Sequence, residues 1–345
     1  MSVKKGVVLF LIITVSVALF IIVKTIDKET WHMIAHLHPR VIVMTLLWVL
    51  LTWTMDFLTL KVLAKSTDGN FTVKEGIDIV LINYFGAAIT PLQSGGGPFQ
   101  VYLLYRAGIP IGKGIAITLM RTILLLIILS IGGPIILHYY PDLLPGIWGK
   151  IAYYYVISFV VGVWVIIFFS IYKPRTIKKM AFWLARRLKK RRIIKKKYYH
   201  GILRFISREL DNYHNNLKLL FSEKRKLLFL AILFSMIRLF SYFMVLPTLI
   251  YGLGLHVSLI KILSLQVVFF FILFFVPSPG GSGVAEGGGA ILLSTLVPSS
   301  IAGILSVGWR FFNEYIGIIL GGIVALNILR KVSTEEILNI TKQTK

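Results

Sequence analysis

Six ionisable residues of this 345-residue chain lie in apolar surroundings, where water would not reach them: Asp56, Arg121, Arg238, Glu286, Arg310 and Glu314. An arginine at the centre of a membrane-spanning helix costs at least ~2.5 kcal/mol on insertion scales, so it normally faces the protein interior and a partner. Arg121 lies eight positions past Lys113, which at 1.5 Å per residue puts it about 12 Å below one membrane face. Arg310 lies nine positions past Ile301, about 14 Å from the opposite face by the same rise. A guanidinium presents a planar fork of donors that matches phosphate oxygens. Two of them, one toward each face, suit a lipid phosphate crossing between leaflets while its tails stay in lipid. Glu314 follows Arg310 by four residues, one helical turn, where it would neutralise it. Glu286 and Glu314 have three open roles: holding an empty site neutral, contacting a cationic headgroup, or carrying a coupling proton. Buried ion pairs that only hold a bundle in register use the same residue types, a reading that weighs most for Asp56 and Arg238.

The elements that carry these residues are broken in two similar places. The first break reads Thr90-Pro91-Leu92-Gln93-Ser94-Gly95-Gly96-Gly97-Pro98, and the second Pro277-Ser278-Pro279-Gly280-Gly281-Ser282-Gly283. Each is followed by a short apolar stretch and then a long helix with its arginine. Pro91 precedes Arg121 by 30 residues and Pro279 precedes Arg310 by 31. Proline and glycine at membrane depth leave backbone groups unpaired, which is tolerated only inside protein or beside a wet cavity. Paired breaks in two halves of a chain mark an inverted-topology repeat with a central site. The helix starting after each break offers free N–H groups and a positive dipole end to an anion. Close helix packing is the alternative use of such glycines, and it is the better reading for Gly287, Gly288 and Gly289. Neither run is a nucleotide loop, for lack of a Walker lysine and of a strand-turn-helix context.

Composition sets the class. The chain is 57% hydrophobic, and a spanning helix needs roughly 20 apolar residues. Residues 6–23, 41–60, 114–137, 151–172, 227–250 and 301–328 qualify, while 76–91 and 259–277 run straight into the two breaks. Lys4 and Lys5 precede the first segment, but no small-residue cleavage site follows it, so it reads as a retained anchor. The net charge of +24 is concentrated: half of the 38 basic residues fall in 173–226, against Glu209, Asp211 and Glu223. Between spanning helices such a block marks a cytoplasmic loop. Its apolar insertions, Phe182, Trp183, Leu184 and Leu188, then Ile202, Leu203, Phe205 and Ile206, fit helices lying on anionic headgroups as well as a loop that only sets topology. Residues 24–40, 138–150 and 251–258 are weakly charged and suit the outside. With the N-terminus and the basic C-terminal end inside, parity requires both broken regions, 76–112 and 259–300, to enter and leave on the same face. The expected fold is therefore an all-α integral membrane protein, a multi-spanning bundle with two re-entrant hairpins in an inverted-topology repeat. Its halves are 41–137 and 227–328, within one domain 1–330 followed by a cytoplasmic tail 331–345. Cell membrane is the expected location.

Several function classes recede. No nucleic-acid module accompanies the positive charge. Cysteine is absent, which excludes disulfides and thiolate metal sites. His32, His36 and His38 are close enough in sequence to hold a metal but read better as interfacial loop residues; His138, His200, His214 and His256 also fall in loops or near interfaces. No HExxH, paired-carboxylate or nucleophile motif appears, so neither a catalytic residue, a metal nor a cofactor is expected.

Three stretches resemble one family: ITPLQSGGGPFQVYLLYRAG (89–108), the arginine in ITLMRTILL, and PSPGGSGVAEGG (277–288) followed by VGWRFFNEY. They are similar to the lysylphosphatidylglycerol synthase transmembrane-region family, the flippase-like part of the multiple peptide resistance factor proteins. The resemblance runs over about residues 1–330, and it is the second motif that makes it specific. It implies a lipid transporter of flippase type, moving an anionic or aminoacylated phospholipid, or a polyprenyl-phosphate-type lipid, between leaflets. The matched positions are Pro91, Gly95, Gly96, Arg121, Pro279, Gly280, Gly283, Glu286 and Arg310. Full-length synthases also carry a soluble C-terminal aminoacyl-transferase domain. Only about fifteen residues follow the last helix here, so lysyl transfer is not expected. Many relatives place a carboxylate in the first Gly-Gly motif where this chain has Gly97. A non-transporting scaffold, or an enzyme acting on a lipid phosphate with a separate lipid-modifying synthase, is the alternative; a homo-oligomer is compatible with either.

Overall fold

The computed structural model describes residues 37–139, 147–172, 174–190, 224–273 and 276–328, together with Ser16, Tyr199, Gly201, Leu203, Arg204, Ser207, Arg208 and Asp211. Among the described residues every regular element is a helix: α1 Pro39–Ser66, α2 Val73–Ala88, α3 Gly96–Arg106, α4 Ile111–Tyr139, α5 Ile147–Tyr172, α6 Pro174–Lys190, α7 Arg225–Gly252, α8 Leu259–Leu273, α9 Gly289–Leu293 and α10 Ser299–Ile328. Apolar runs in a bilayer must satisfy their own backbone, and a helix does so within the segment. α1, α4, α7 and α10 are long and apolar enough to cross a membrane, which makes this an all-helical membrane protein. They coincide with the expected segments 41–60, 114–137, 227–250 and 301–328; segment 151–172 falls in α5. Segment 6–23 apart from Ser16, half of the basic loop 173–226 and the tail 331–345 lie outside the described residues, as do His32, His36, His200 and His214.

The chain packs as two compact units. The first comprises the described residues up to Phe57, Thr72–Leu103 and those from Arg238 onward; the second comprises Leu58–Phe71 and Leu104–Ile237. Both helix breaks belong to the first unit. There α1 and α7 are joined by polar side chains: Trp48 Nε1 donates to Thr248 Oγ1 at 3.1 Å, and Thr52 and Ser241 hydroxyls share a 2.9 Å bond. In lipid, where apolar burial does not drive helices together, such bonds and close backbone approach take over. Close approach is what joins α2 to α10. A Cβ on Gly317 would sit 2.8 Å from the Tyr84 ring, and Gly321 faces the Leu81 carbonyl. Buried amides tie the remaining helices: Gln100 Nε2 reaches Ile79 O at 3.1 Å, and Gln266 Nε2 reaches Phe243 O at 2.9 Å.

In the second unit, Lys224 Nζ binds Ser66 O at 2.9 Å and Asp68 Oδ1 at 2.8 Å, joining the end of α1 to the start of α7. Gly69, just before α2, packs on Ile109, just before α4. The chain segments that enter α2 and leave α3 therefore meet. The Lys224 contact holds the Asp68 carboxyl below the usual carboxylate value, with Lys113 adding to the effect. α6 carries Lys178, Lys179, Arg186 and Lys189 along one side by helical spacing. Met180 and Trp183 are exposed at its edge, and the Arg187 guanidinium lies 5.0 Å from the Trp183 ring.

Candidate functional site at the paired helix breaks

Each break is built by local bonds. Thr90 Oγ1 donates to Gly86 O at 2.8 Å and accepts the Gly95 N–H at 2.7 Å, so the loop between them closes on itself. Pro91 cannot extend the helix hydrogen bonding. Leu92 and Gln93 follow at φ 55° and 53°, left-handed values that cost a non-glycine residue roughly 1–2 kcal/mol each. Strain of this kind persists where the surroundings over-determine the backbone, and functional sites are where it gathers. Gly96 then starts α3 against the Asn83 side chain. At the second break, Gly280 and Gly283 take φ 60° and 86°, where a side chain would be strained. The Ser278 and Ser282 hydroxyls brace the turn by bonds of 2.8 Å to Ser282 O and Pro279 O. A single wide turn, Val284–Gly288, leads into α9.

The two tips touch. Pro91 and Pro279 pair as an isolated antiparallel bridge, and Gly280 N–H points to Thr90 O at 3.4 Å. Two loops whose backbone groups lie outside regular helix thus satisfy part of each other's need.

Behind the junction sits Arg310, only 4% exposed. Its Nη2 donates to the Gly280 carbonyl at the tip. Its Nε lies 3.1 Å from Glu286 Oε1. Glu286 is fully buried, accepts the Gly283 N–H on Oε2 at 2.6 Å and the Tyr315 hydroxyl on Oε1 at 2.5 Å. Ser306 Oγ donates to the Glu286 carbonyl at 2.8 Å, which ties the wide turn to α10. One arginine therefore holds the tip carbonyl directly and, through Glu286, the tip's N–H group.

Glu314 does not take the place its spacing suggests. Arg310 is paired with Glu286, and Glu314 Oε1 instead accepts the Tyr242 hydroxyl at 3.0 Å. The physical reason is the wide turn Phe311–Tyr315 inside α10. An i→i+5 turn shifts the next-turn neighbour away from i+4, so Tyr315 lies beside the Arg310 guanidinium, 5.9 Å from ring to charge. Tyr242 is also ringed by Phe243, Phe270 and Trp309. Asp56 and Arg238 form a separate ion pair, 3.7 Å between Oδ1 and Nε, with Asp56 1% exposed.

Of the residues singled out from sequence, Pro91, Gly95, Gly96, Pro279, Gly280, Gly283, Glu286, Arg310 and Glu314 all fall in the first unit. Arg121 is half-buried on α4 in the second. Gly97 has open space where a side chain would stand. Thr90, Tyr242, Ser306 and Tyr315 were not singled out, although all are polar groups placed within apolar helices or beside a break. That placement is the signal which would have found them.

A family profile described as the lysylphosphatidylglycerol synthase TM region matches residues 7–321. The chain is also similar to a UPF0104 membrane protein of Archaeoglobus fulgidus, 23% identical over 316 residues, which cover 91% of this chain and 94% of that protein. The match takes in both breaks, Arg121, Glu286 and Arg310, and the chain belongs to the lysylphosphatidylglycerol synthase transmembrane-region family.

Proposed function

We propose that this protein is a lipid transporter of flippase type, which moves an anionic or aminoacylated phospholipid, or a polyprenyl-phosphate-type lipid, between leaflets. The observation that carries this reading is the Arg310 guanidinium, bound to the Gly280 carbonyl where the two broken helices meet and paired with Glu286. Guanidinium and phosphate are natural partners. A phosphate that takes over Arg310 would release the tip carbonyl and open the junction, so binding and gating would be one event. Arg121 is the second arginine assigned to the phosphate in this reading, and the helix starts after each break would add N–H donors.

The re-entrant character of the breaks belongs to the same reading. α2 has 16 residues, about 24 Å of helix, short of a hydrocarbon core of about 30 Å. The contact of Gly69 with Ile109 supports a hairpin that leaves where it entered. The similar break at Pro279 supports an inverted repeat with a site at its centre. Positive charge in 173–226 supports a cytoplasmic loop, both termini inside, a cell-membrane location and anionic headgroups against α6.

The test is a headgroup-accessibility assay in proteoliposomes with labelled anionic, aminoacylated and polyprenyl-phosphate lipids. Wild type should move one class, and Arg310→Ala and Arg121→Ala should lose that movement while remaining folded. No movement of any lipid by folded, inserted wild type would overturn the transporter reading in favour of a scaffold or an enzyme working with a separate synthase.

A further inference from the structure

Charge balance inside the first unit singles out Glu314. Within it Asp56 pairs with Arg238, and Glu286 pairs with Arg310. Glu314 belongs to neither pair, and its hydrogen bond comes from a neutral phenol, Tyr242. With all five groups ionised this core carries one net negative charge, an unfavourable state in a low-dielectric interior. A proton on Glu314 removes it.

The two glutamates differ in the ways that matter for a proton. Glu286 is fully enclosed, and its carboxylate is held by a backbone N–H, a hydroxyl and a guanidinium. Its carboxylate is also part of the tip's architecture. Glu314 is half-buried and bonded through one oxygen, so a proton can reach it without dismantling the junction. The groups facing it are Tyr242 and Arg238 on α7 and Arg310 on its own helix, with Tyr84 of α2 packed at Gly317. Tyr242 joins the Glu314 carboxylate to the aromatic cluster, and the Arg310 charge acts on both.

We propose that Glu314 is the proton-binding group of the core. It takes one proton from water onto a carboxylate oxygen and returns it to water as the junction changes state, linking lipid movement to proton uptake. The second half of that statement rests on the transporter reading; the first half does not.

The test is infrared difference spectroscopy of the full chain in lipid vesicles during a pH titration. A carbonyl stretch of a protonated buried carboxylic acid should appear. It should vanish in Glu314→Gln, persist in Asp56→Asn and change frequency in Tyr242→Phe, which removes its hydrogen-bond partner. A carboxylic-acid region that is the same in wild type and Glu314→Gln overturns the proposal. If Glu314→Gln fails to insert, an unchanged band in Tyr242→Phe overturns it instead. In proteoliposomes, an imposed proton gradient should change the lipid-movement rate of wild type, and that response should be lost in Glu314→Gln. A Glu314-dependent band without any lipid movement supports the proton site and counts against the transporter. Lipid movement that responds equally to the gradient in both proteins overturns the coupling.

Discussion

Arg310 and Glu286, 24 residues apart in sequence, lie 3.1 Å apart in a buried ion pair whose arginine also grips the Gly280 carbonyl at the tip of the second break. Removing one partner of such a pair strands the other charge, which typically costs about 3–5 kcal/mol. Glu286→Ala should lower unfolding stability by that order in detergent. Glu286→Ala with Arg310→Met should cost less than the sum of the single changes. Additive effects in thermal unfolding would mean the two residues are not coupled.

Glycine positions at the breaks should differ sharply. Gly283 has φ 86°, so Gly283→Ala should destabilise by about 1–2 kcal/mol through backbone strain alone. Gly97 meets nothing within 4 Å and lies in α3, so Gly97→Ala should be neutral or stabilising by up to about 1 kcal/mol. Unfolding midpoints of the two variants, measured side by side, check the contrast.

Gly317 and Gly321 bring α10 against α2. Gly317→Val would press on the Tyr84 ring and cost roughly 1–3 kcal/mol as overpacking. Relief by a second change, Tyr84→Ala, would locate the effect at this contact; no relief would place it elsewhere.

Asp68 gives a pH signature outside the spanning helices. Lys224, by hydrogen bond and charge, lowers its carboxyl below 3.8. A depressed folded value contributes stability that is present above the unfolded value and lost as pH falls through the folded one. Asp68→Asn should therefore unfold slightly earlier than wild type at neutral pH, and the two should converge in acid below 3.8. The carboxylate is exposed, so added salt should shrink the difference. A gap that widens on acidification would contradict the assignment.

Much of this was legible beforehand, for physical reasons. Spanning helices advertise themselves by length and apolarity, so α1, α4, α7 and α10 fall where hydropathy places them. Pro91 and Pro279 mark breaks because proline cannot continue the hydrogen-bond ladder. That the two tips pair with each other is a long-range contact, and local spacing carries no trace of it. Which of the two glutamates bonds Arg310 directly was hidden for a related reason. Four-residue spacing assumes a regular helix, and the wide turn Phe311–Tyr315 displaces Glu314 in favour of Tyr315. Tyr242 and Tyr315, the phenols that bond the two glutamates, read in sequence as ordinary aromatic residues of apolar helices.

The central claim, that lipid passes when the two tips part, can be tested by tying them together. Natural cysteine is absent, so Pro91→Cys with Pro279→Cys introduces the sole thiol pair. Antiparallel bridge partners have Cα atoms about 4.5–5.5 Å apart, within disulfide range. In the proteoliposome assay the reduced double variant should move lipid, the oxidised form should stop, and reductant should restore movement. Full lipid movement by the oxidised, cross-linked protein would contradict a pathway that opens at this junction.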